Sequence, residues 1–224
     1  MVKKRASGDY EELVEIPIDS VSLEGMLGLP EGTKGIVLFA HGSGSSRLSP
    51  RNNFVAGILR KAGIGTLLFD LLTEEEDMVY STRFDIDLLT ERLILATNWL
   101  KNQPQSEGLR IGYFGASTGA AAALQATAMG SSSIFAVVSR GGRPDLAMPH
   151  LSKVKAPTLL IVGGFDESVI GLNQQAYDEL VGERELIIVP GATHLFEETG
   201  TLEEVARLAA EWFVRHLAAK TAVF

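Results

Sequence analysis

A serine in a tight turn framed by glycines is the first feature of this sequence that could do chemistry. Ser117 is the central residue of Gly115–Gly119 (GASTG), which follows an apolar run ending at Phe114 and precedes an alanine-rich stretch. A strand–turn–helix context of this kind exposes the serine hydroxyl at the top of a sheet, and its neighbours must be small because the turn is tight. The pattern predicts that Ser117 is a nucleophile, the alternative being a simple helix N-cap.

Two residues that follow other apolar runs could activate this serine. A serine hydroxyl is a poor nucleophile without a base. Of the four histidines, His194 lies just after the last predicted strand, and Asp166 follows the strand before it. Asp166 could orient the imidazole and stabilise its charged form. An exposed loop histidine and a helix N-cap are the alternative interpretations of these two residues, and Asp70 and Asp145 are rivals for the role of the acid.

A loop rich in glycine and serine, His41–Ser46 (HGSGSS), follows the apolar run Gly35–Ala40. A backbone N–H from this loop and the one after the nucleophile could together stabilise a developing oxyanion, and we assign these donors to Ser43 and Thr118. A phosphate-binding loop is the other interpretation. It is disfavoured because the sequence lacks G-K-[ST], and Arg47 stands where G-x-G-x-x-G requires its third glycine.

Two arginines follow a further predicted strand on the same edge. Arg140 or Arg143 could clamp an acidic group of a substrate, since guanidinium groups bind carboxylates with paired hydrogen bonds. The alternative is that they tie their own loop to Asp145 or to other carboxylates. The sequence leaves both interpretations open.

The elements that must position these residues alternate short apolar runs with amphipathic stretches, the pattern of a mostly parallel sheet between helices. In such sheets ligands bind at the carboxyl ends of the strands. Two antiparallel strands come first and are predicted to be joined by a hairpin at Asp19-Ser20. The predicted strands are Leu13–Ile18, Val21–Leu27, Gly35–Ala40, Thr66–Phe69, Arg110–Phe114, Phe135–Val138, Thr158–Val162 and Leu186–Val189. The predicted helices are Phe54–Lys61, Ile86–Leu100, Thr118–Met129, Val169–Leu180 and a last one opened by a capping box of Thr201 with Glu204; Thr73–Asp77 is predicted to be a loop.

Composition restricts the classes of function. The 224 residues suit one domain over residues 1–224, with residues 1–10 predicted to be a flexible tail. The chain has no cysteine, which removes disulfides and thiolate chemistry, and its formal net charge of −8 disfavours nucleic acid and anionic membranes as partners. No long apolar run or secretory signal is present, so we expect a cytoplasmic protein. We also expect that it needs no metal or cofactor. The oligomeric state stays open.

With these motifs, the chain resembles the α/β-hydrolase superfamily, and within it the dienelactone hydrolase-like branch, from about Leu13 to Leu217. The resemblance rests on HGSGSS, GASTG, GGFDESV at Gly163–Val169 and GATHLF at Gly191–Phe196. It implies an eight-stranded sheet and an ester- or lactone-cleaving site. The founding dienelactone hydrolases have a cysteine where Ser117 stands and a glutamate where Gly42 stands, so dienelactone itself is not implied as the substrate.

The resulting hypothesis is a cofactor-independent serine hydrolase of small carboxylic esters or lactones, with the chain order Ser117, Asp166, His194 that is typical of α/β-hydrolases. Only 12 residues separate Gly142 from Lys155, which is too few for a helical cap domain and predicts an open, shallow site. Activity is expected to fall at acidic pH as the histidine base becomes protonated, with a limb near ~6–7. A thioesterase, a peptidase and a non-catalytic ligand-binding protein on the same scaffold are the alternatives.

Overall fold

The computed structural model describes residues 3–4, 10–18, 21–130 and 133–218. The hairpin turn predicted at Asp19-Ser20 lies outside the described residues, as does most of the tail predicted over residues 1–10. Within that tail, Lys3–Lys4 form a two-residue strand, β1, which pairs antiparallel with the first residues of the next strand.

The strands form one sheet with the order β1-β2-β3-β5-β4-β6-β7-β8-β9. Pairing is antiparallel from β1 to the contact of β3 with β5, and parallel from β5 to β9. Beside the two-residue β1, the sheet contains the eight predicted strands, so the predicted mostly parallel, eight-stranded α/β-hydrolase sheet is confirmed. The eight strands are β2 Tyr10–Ile18, β3 Val21–Leu29, β4 Gly35–Ala40, β5 Gly65–Phe69, β6 Arg110–Ala116, β7 Ile134–Arg140, β8 Thr158–Gly163 and β9 Arg184–Val189.

Helices cover both faces of this sheet and bury two apolar cores. The α-helices are α1 Pro50–Lys61, α2 Glu74–Met78, α3 Ile86–Lys101, α4 Thr118–Met129, α5 Glu167–Glu179 and α6 Thr201–Leu217, with 3-10 helices at Thr82–Phe84, Pro104–Ser106 and Pro144–Lys153. Helices α1 and α6 pack on one face and α3, α4 and α5 on the other. Strands β4 to β8 are buried on both faces, which explains why they appear in the sequence as continuous apolar runs.

The prediction of a loop over Thr73–Asp77 was wrong, because a complete capping box makes this acidic stretch helical. The Thr73 hydroxyl accepts a hydrogen bond from the Glu76 amide at 3.2 Å, and the Glu76 carboxylate accepts one from the Thr73 amide at 2.9 Å. The carboxylates also lie at the positive end of the helix dipole, where negative charge is favourable.

The capping box predicted at Thr201 was wrong in the opposite sense. Gly200, in the left-handed conformation, precedes α6, and the Thr201 hydroxyl donates to the Glu198 carbonyl at 2.7 Å. The Glu204 carboxylate instead accepts hydrogen bonds from Arg207. Thr201 and Glu204 therefore each bond to another local partner, and the capping box does not form.

The connection between β7 and β8 is occupied by the ten-residue 3-10 helix Pro144–Lys153, and the described residues contain no separate cap domain. Within the same residues, every helix is too short or too polar to cross a membrane. The carboxyl edge of the sheet is therefore covered by short connections, and these carry the candidate site.

Candidate active site

Ser117 occupies a strained turn between β6 and α4. Its φ of 50° and ψ of −120° lie where a residue with a side chain is rarely found, and such strain is characteristic of functional turns. The turn is tight because Gly119 lies against the strand end of β4, where a Cβ would overlap the Ala40 and His41 carbonyl oxygens. The strand, the turn and the helix are those that the G-x-S-x-G pattern predicts.

His194 and Asp166 form a hydrogen bond of 2.6 Å between Nδ1 and Oδ2. Asp166 follows β8 and precedes α5, whereas His194 lies in the loop between β9 and α6. The Asp166 side chain is 11% exposed and that of His194 38% exposed, so the carboxylate is sheltered while the imidazole remains accessible. With Nδ1 directed at the carboxylate, Nε2 is the nitrogen left to accept a proton.

The loop after β7 contacts both Ser117 and His194. The Ser117 amide donates to the Arg140 carbonyl at 3.3 Å, and the Arg143 amide donates to the Ser117 carbonyl at 3.1 Å. Between these two contacts, Gly141 lies so close to His194 that a Cβ would stand 3.5 Å from imidazole Nδ1. No hydrogen bond joins the Ser117 hydroxyl to the imidazole in the described part of the chain. Such catalytic bonds often shorten only when substrate binds.

The two predicted oxyanion donors, the amides of Ser43 and Thr118, lie near Ser117 and differ in whether they already have a hydrogen-bond acceptor. Gly42 packs against Ser117, since a Cβ on it would stand 3.1 Å from the serine Cβ. The Thr118 amide is in the first turn of α4, where N–H groups have no intrahelical acceptor. The Ser43 amide donates to the Thr118 hydroxyl at 2.9 Å, so this hydroxyl would have to release it to a substrate oxygen.

His41 anchors the loop that carries these donors, a role that the sequence analysis missed. Its Nε2 accepts a hydrogen bond from the Leu71 amide at 3.0 Å, which leaves Nδ1 to donate to the Gly42 carbonyl, also at 3.0 Å. Burial lowers the pKa of His41 by desolvating its charged form, against the opposing effect of the Gly42 bond. The neutral imidazole therefore ties the loop to the end of β5. Its position directly after β4 was the available signal.

Arg140 turns away from solvent. It donates to Asn52 Oδ1 at 3.3 Å and lies over the Phe196 ring, 5.9 Å from the centroid. Desolvation and, to a smaller extent, the nearby positive charge of Arg51 lower the pKa of Arg140 to about 10.

Arg143 pairs through two hydrogen bonds of 2.9 and 2.7 Å with Asp145, and these bonds raise its pKa. Contact of Arg140 or Arg143 with substrate stays a prediction. In this structure, the pairing of Arg143 with Asp145 matches the alternative interpretation.

The rival acids have other partners. Asp145 is bound to Arg143, and Asp70 accepts hydrogen bonds from the amide and guanidinium of Arg47. Asp166 is therefore the one of the three aspartates that contacts His194. Nowhere in residues 3–4, 10–18, 21–130 and 133–218 are three or more histidine, aspartate or glutamate side chains grouped as a metal site requires.

A groove of about 610 Å³ opens beside the glycine- and serine-rich loop. It runs between that loop, the start of β3 and the segment that includes α2, and it does not reach Ser117. Its charged lining consists of Glu24, Arg47, Asp70, Glu74, Glu75 and Asp77. Arg47 pairs with two of these carboxylates, so the groove is acidic overall.

Comparison with known proteins identifies relatives over most of the chain. A sequence model of the dienelactone hydrolase family matches residues 60–218. A Mycobacterium tuberculosis (strain H37Rv) protein, provisionally named a phosphoribosyl transferase, is 57% identical over 207 residues, which cover 92% of this chain and 47% of that protein. Its counterpart in strain CDC 1551 matches equally well. The chain thus spans about half the length of the curated relatives it matches.

Solved structures show the same fold. The crystal structure of a dienelactone hydrolase from Anabaena variabilis has a TM-score of 0.91 and 54% sequence identity, covering 93% of this chain and 99% of that one. An esterase from Pyrococcus furiosus has a TM-score of 0.78 at 21% identity, covering 93% of this chain and 92% of its own. Est1E from Butyrivibrio proteoclasticus has the same TM-score at 16% identity, covering 91% and 98%. The last two matches show the fold alone.

Proposed function

The chain belongs to the dienelactone hydrolase family, and we propose that it is a serine hydrolase that cleaves small carboxylic esters or lactones. The observation that carries this proposal is the 2.6 Å hydrogen bond between His194 and Asp166, at the sheet edge where Ser117 occupies its strained turn. The name of the Anabaena relative, which is 54% identical, supports an acyl-transfer reaction on this scaffold.

In the proposed reaction, Ser117 Oγ attacks the substrate carbonyl carbon while His194 Nε2 takes the hydroxyl proton. Asp166 holds the imidazole and stabilises its positive charge. The oxygen of the tetrahedral intermediate accepts hydrogen bonds from the Thr118 and Ser43 amides, and each such donor contributes roughly 3–4 kcal/mol to transition-state stabilisation. His194 then returns the proton to the leaving alcohol and activates a water molecule, which hydrolyses the acyl-enzyme.

The covering of the site supports small substrates. The described connections over the carboxyl edge are short, and His194 is partly exposed in an open loop. A dienelactone is one candidate within the lactone class, although Ser117 and Gly42 replace the cysteine and glutamate typical of the founding enzymes. The provisional name of the mycobacterial relatives describes proteins about twice as long as the matched stretch, so it does not specify the chemistry of this half. A cytoplasmic location is part of the same proposal.

The test is active-site labelling with a fluorophosphonate, located by peptide mass spectrometry. We expect a single phosphonylated serine, Ser117, and no label in the S117A variant. A matched control is S152A, which removes an exposed serine from the connection after β7. Label on another serine, or no label where a control esterase reacts, would refute the assignment of the nucleophile.

A substrate panel separates the alternatives. Short-chain nitrophenyl esters, lactones, acyl thioesters and peptides would be compared by kcat/KM with the same preparation. We expect the esters or lactones to be cleaved fastest, with an acyl-enzyme burst from the activated ester. A preference for thioesters or peptides would show that the protein is a thioesterase or a peptidase rather than an esterase or lactonase. Saturable binding without a burst would instead support a ligand-binding protein.

A further inference from the structure

One buried side chain outside the proposed triad connects the supports of both Ser117 and His194. Asn173 lies in α5 with no exposed surface. Its Nδ2 donates to the Val169 carbonyl at 2.8 Å within the helix and to the Gly142 carbonyl at 3.0 Å in the loop after β7. The second of these bonds joins elements that are 31 residues apart in the sequence.

The loop that Asn173 holds touches both reacting partners. Residue 143 binds the Ser117 carbonyl through its amide, and Gly141 lies against the His194 imidazole. Gly141 has a φ of +52° and donates its amide to the Ile161 carbonyl at 2.8 Å, so the loop crosses onto β8 in a conformation that favours glycine. A shift of this loop would therefore move the serine backbone and the imidazole relative to each other.

The space around Gly142 leaves the loop little room for another conformation. A Cβ at Gly142 would overlap the Ser139 hydroxyl and stand 2.8 Å from the Ala120 Cβ, so this backbone lies tightly against β7 and α4. On its other side the Gly142 carbonyl meets Asn173. The loop is held between α4, which begins at the nucleophile, and α5, which begins immediately after Asp166.

We infer that Asn173 is a positioning residue, which sets the alignment of Ser117 with His194 through the Gly141–Gly142 backbone. The inference rests on the proposed function, because it assigns Asn173 a role in the same acyl transfer. Helix α5 then helps to position both Asp166, which precedes its first turn, and the loop after β7, which is held by Asn173 in its second turn. Misplacement of a catalytic group by about 1 Å can cost about 10²-fold in rate, which is the scale of effect expected here.

Two substitutions separate the loop contact from helix stability. N173L removes both hydrogen bonds. N173T keeps a donor for the Val169 carbonyl, because buried threonines in this protein, Thr97 and Thr127, donate to the carbonyl four residues earlier at 2.7 Å. N173T therefore loses only the bond to Gly142 and is expected to fold even if N173L does not.

The matched control is T97V, which removes a buried hydroxyl bonded to the Leu93 carbonyl and to Tyr113, away from the loop. We expect kcat of N173T to fall about 10- to 100-fold with little change in KM, and fluorophosphonate labelling to slow in parallel. T97V should lower the melting temperature by about as much as N173T does, while keeping wild-type kcat.

A second readout does not depend on turnover. In the ¹H–¹⁵N spectrum of the histidine side chains, the His194 resonances should shift in N173T and stay in place in T97V. If N173T behaves like T97V in both kcat and the spectrum, the positioning role is overturned. If the wild-type protein cleaves no acyl substrate and takes no label, the proposed function fails; a shift of the His194 resonances in N173T would then show only that Asn173 holds the backbone beside His194, without a role in acyl transfer.

Discussion

Helix α4 and the acidic segment, defined here as Glu74–Phe84, lie near the same site and are built in opposite ways. Eleven of the twelve residues of α4 are buried, most of them alanine, and the helix begins directly after the strained Ser117. The acidic segment contains α2, which has no buried residue, and it exposes the apolar side chains of Met78 and Tyr80 by about three quarters.

The difference separates two requirements of a catalytic site. The proposed nucleophile needs a surrounding that cannot relax, and α4 supplies it because a Cβ on Gly119 would overlap the Ala40 and His41 carbonyl oxygens at the end of β4. The acidic segment contains the ion pair of Arg83 with Asp77, and the pair of Arg92 with Glu76 joins it to α3. Surface ion pairs stabilise weakly, so changes there should cost little.

The largest effect is expected from S117A. Loss of the proposed nucleophile should lower kcat by about 10⁴-fold or more, as it does in enzymes with a serine triad. The unfolding free energy should change little, because alanine meets the same backbone strain as serine. Steady-state kinetics and urea denaturation measure the two quantities. A loss of less than about tenfold would contradict the role proposed for Ser117.

The second effect concerns the packing of α4. G119A should destabilise the fold by about 1–3 kcal/mol or more, since the new Cβ would overlap the Ala40 and His41 carbonyl oxygens. The control G57A places a Cβ on α1 in open space and should be neutral or stabilising by up to about 1 kcal/mol. Equal midpoints of urea unfolding for the two variants would show that α4 tolerates added volume.

The third effect depends on pH. Burial lowers the pKa of His41 below that of the unfolded chain, so at acidic pH the unfolded state binds the extra proton. The unfolding free energy should therefore fall as pH decreases below about 6.5, by at most about 1.4 kcal/mol per pH unit for one histidine. H41N should flatten this dependence, measured by urea denaturation between pH 5 and 7.

The control for that experiment is H216N. Burial also lowers the pKa of His216, but this imidazole is less completely desolvated and lies near Glu183, which opposes the shift. H216N should therefore flatten the pH dependence of the unfolding free energy less than H41N does. An unchanged slope in H41N would show that His41 does not couple folding to protonation.

The smallest effect is expected in the acidic segment. M78S and Y80S should change the unfolding free energy by no more than about 0.5 kcal/mol, because both side chains are exposed. L124A in α4 is the buried counterpart and should cost about 2–5 kcal/mol. A loss above about 1.5 kcal/mol in M78S or Y80S would mean that the segment is held more firmly than its exposure indicates.

Much of the fold and the candidate site could be predicted from local patterns. The eight apolar runs and the turns after them identified the sheet and placed Ser117, Asp166 and His194 at strand ends, because strand burial and turn chemistry leave short-range signals. Helix α2 was missed since its acidic composition suggested a loop. The role of Asn173 left no local signal, because it depends on a carbonyl group 31 residues away. For His41 the position directly after β4 was a signal, but its partner, the Leu71 amide, lies 30 residues away.

By itself, the order of residue types determined a parallel sheet with a serine elbow, since apolar periodicity and small residues at a tight turn are properties of neighbours along the chain. Only the tertiary structure decided that Asp166, rather than Asp70 or Asp145, meets His194, and that Arg140 turns inward. Those outcomes depend on which side chains compete for the same partner in space. Hydrogen bonds and ion pairs are short-ranged, so their pairing emerges only after the strands have assembled.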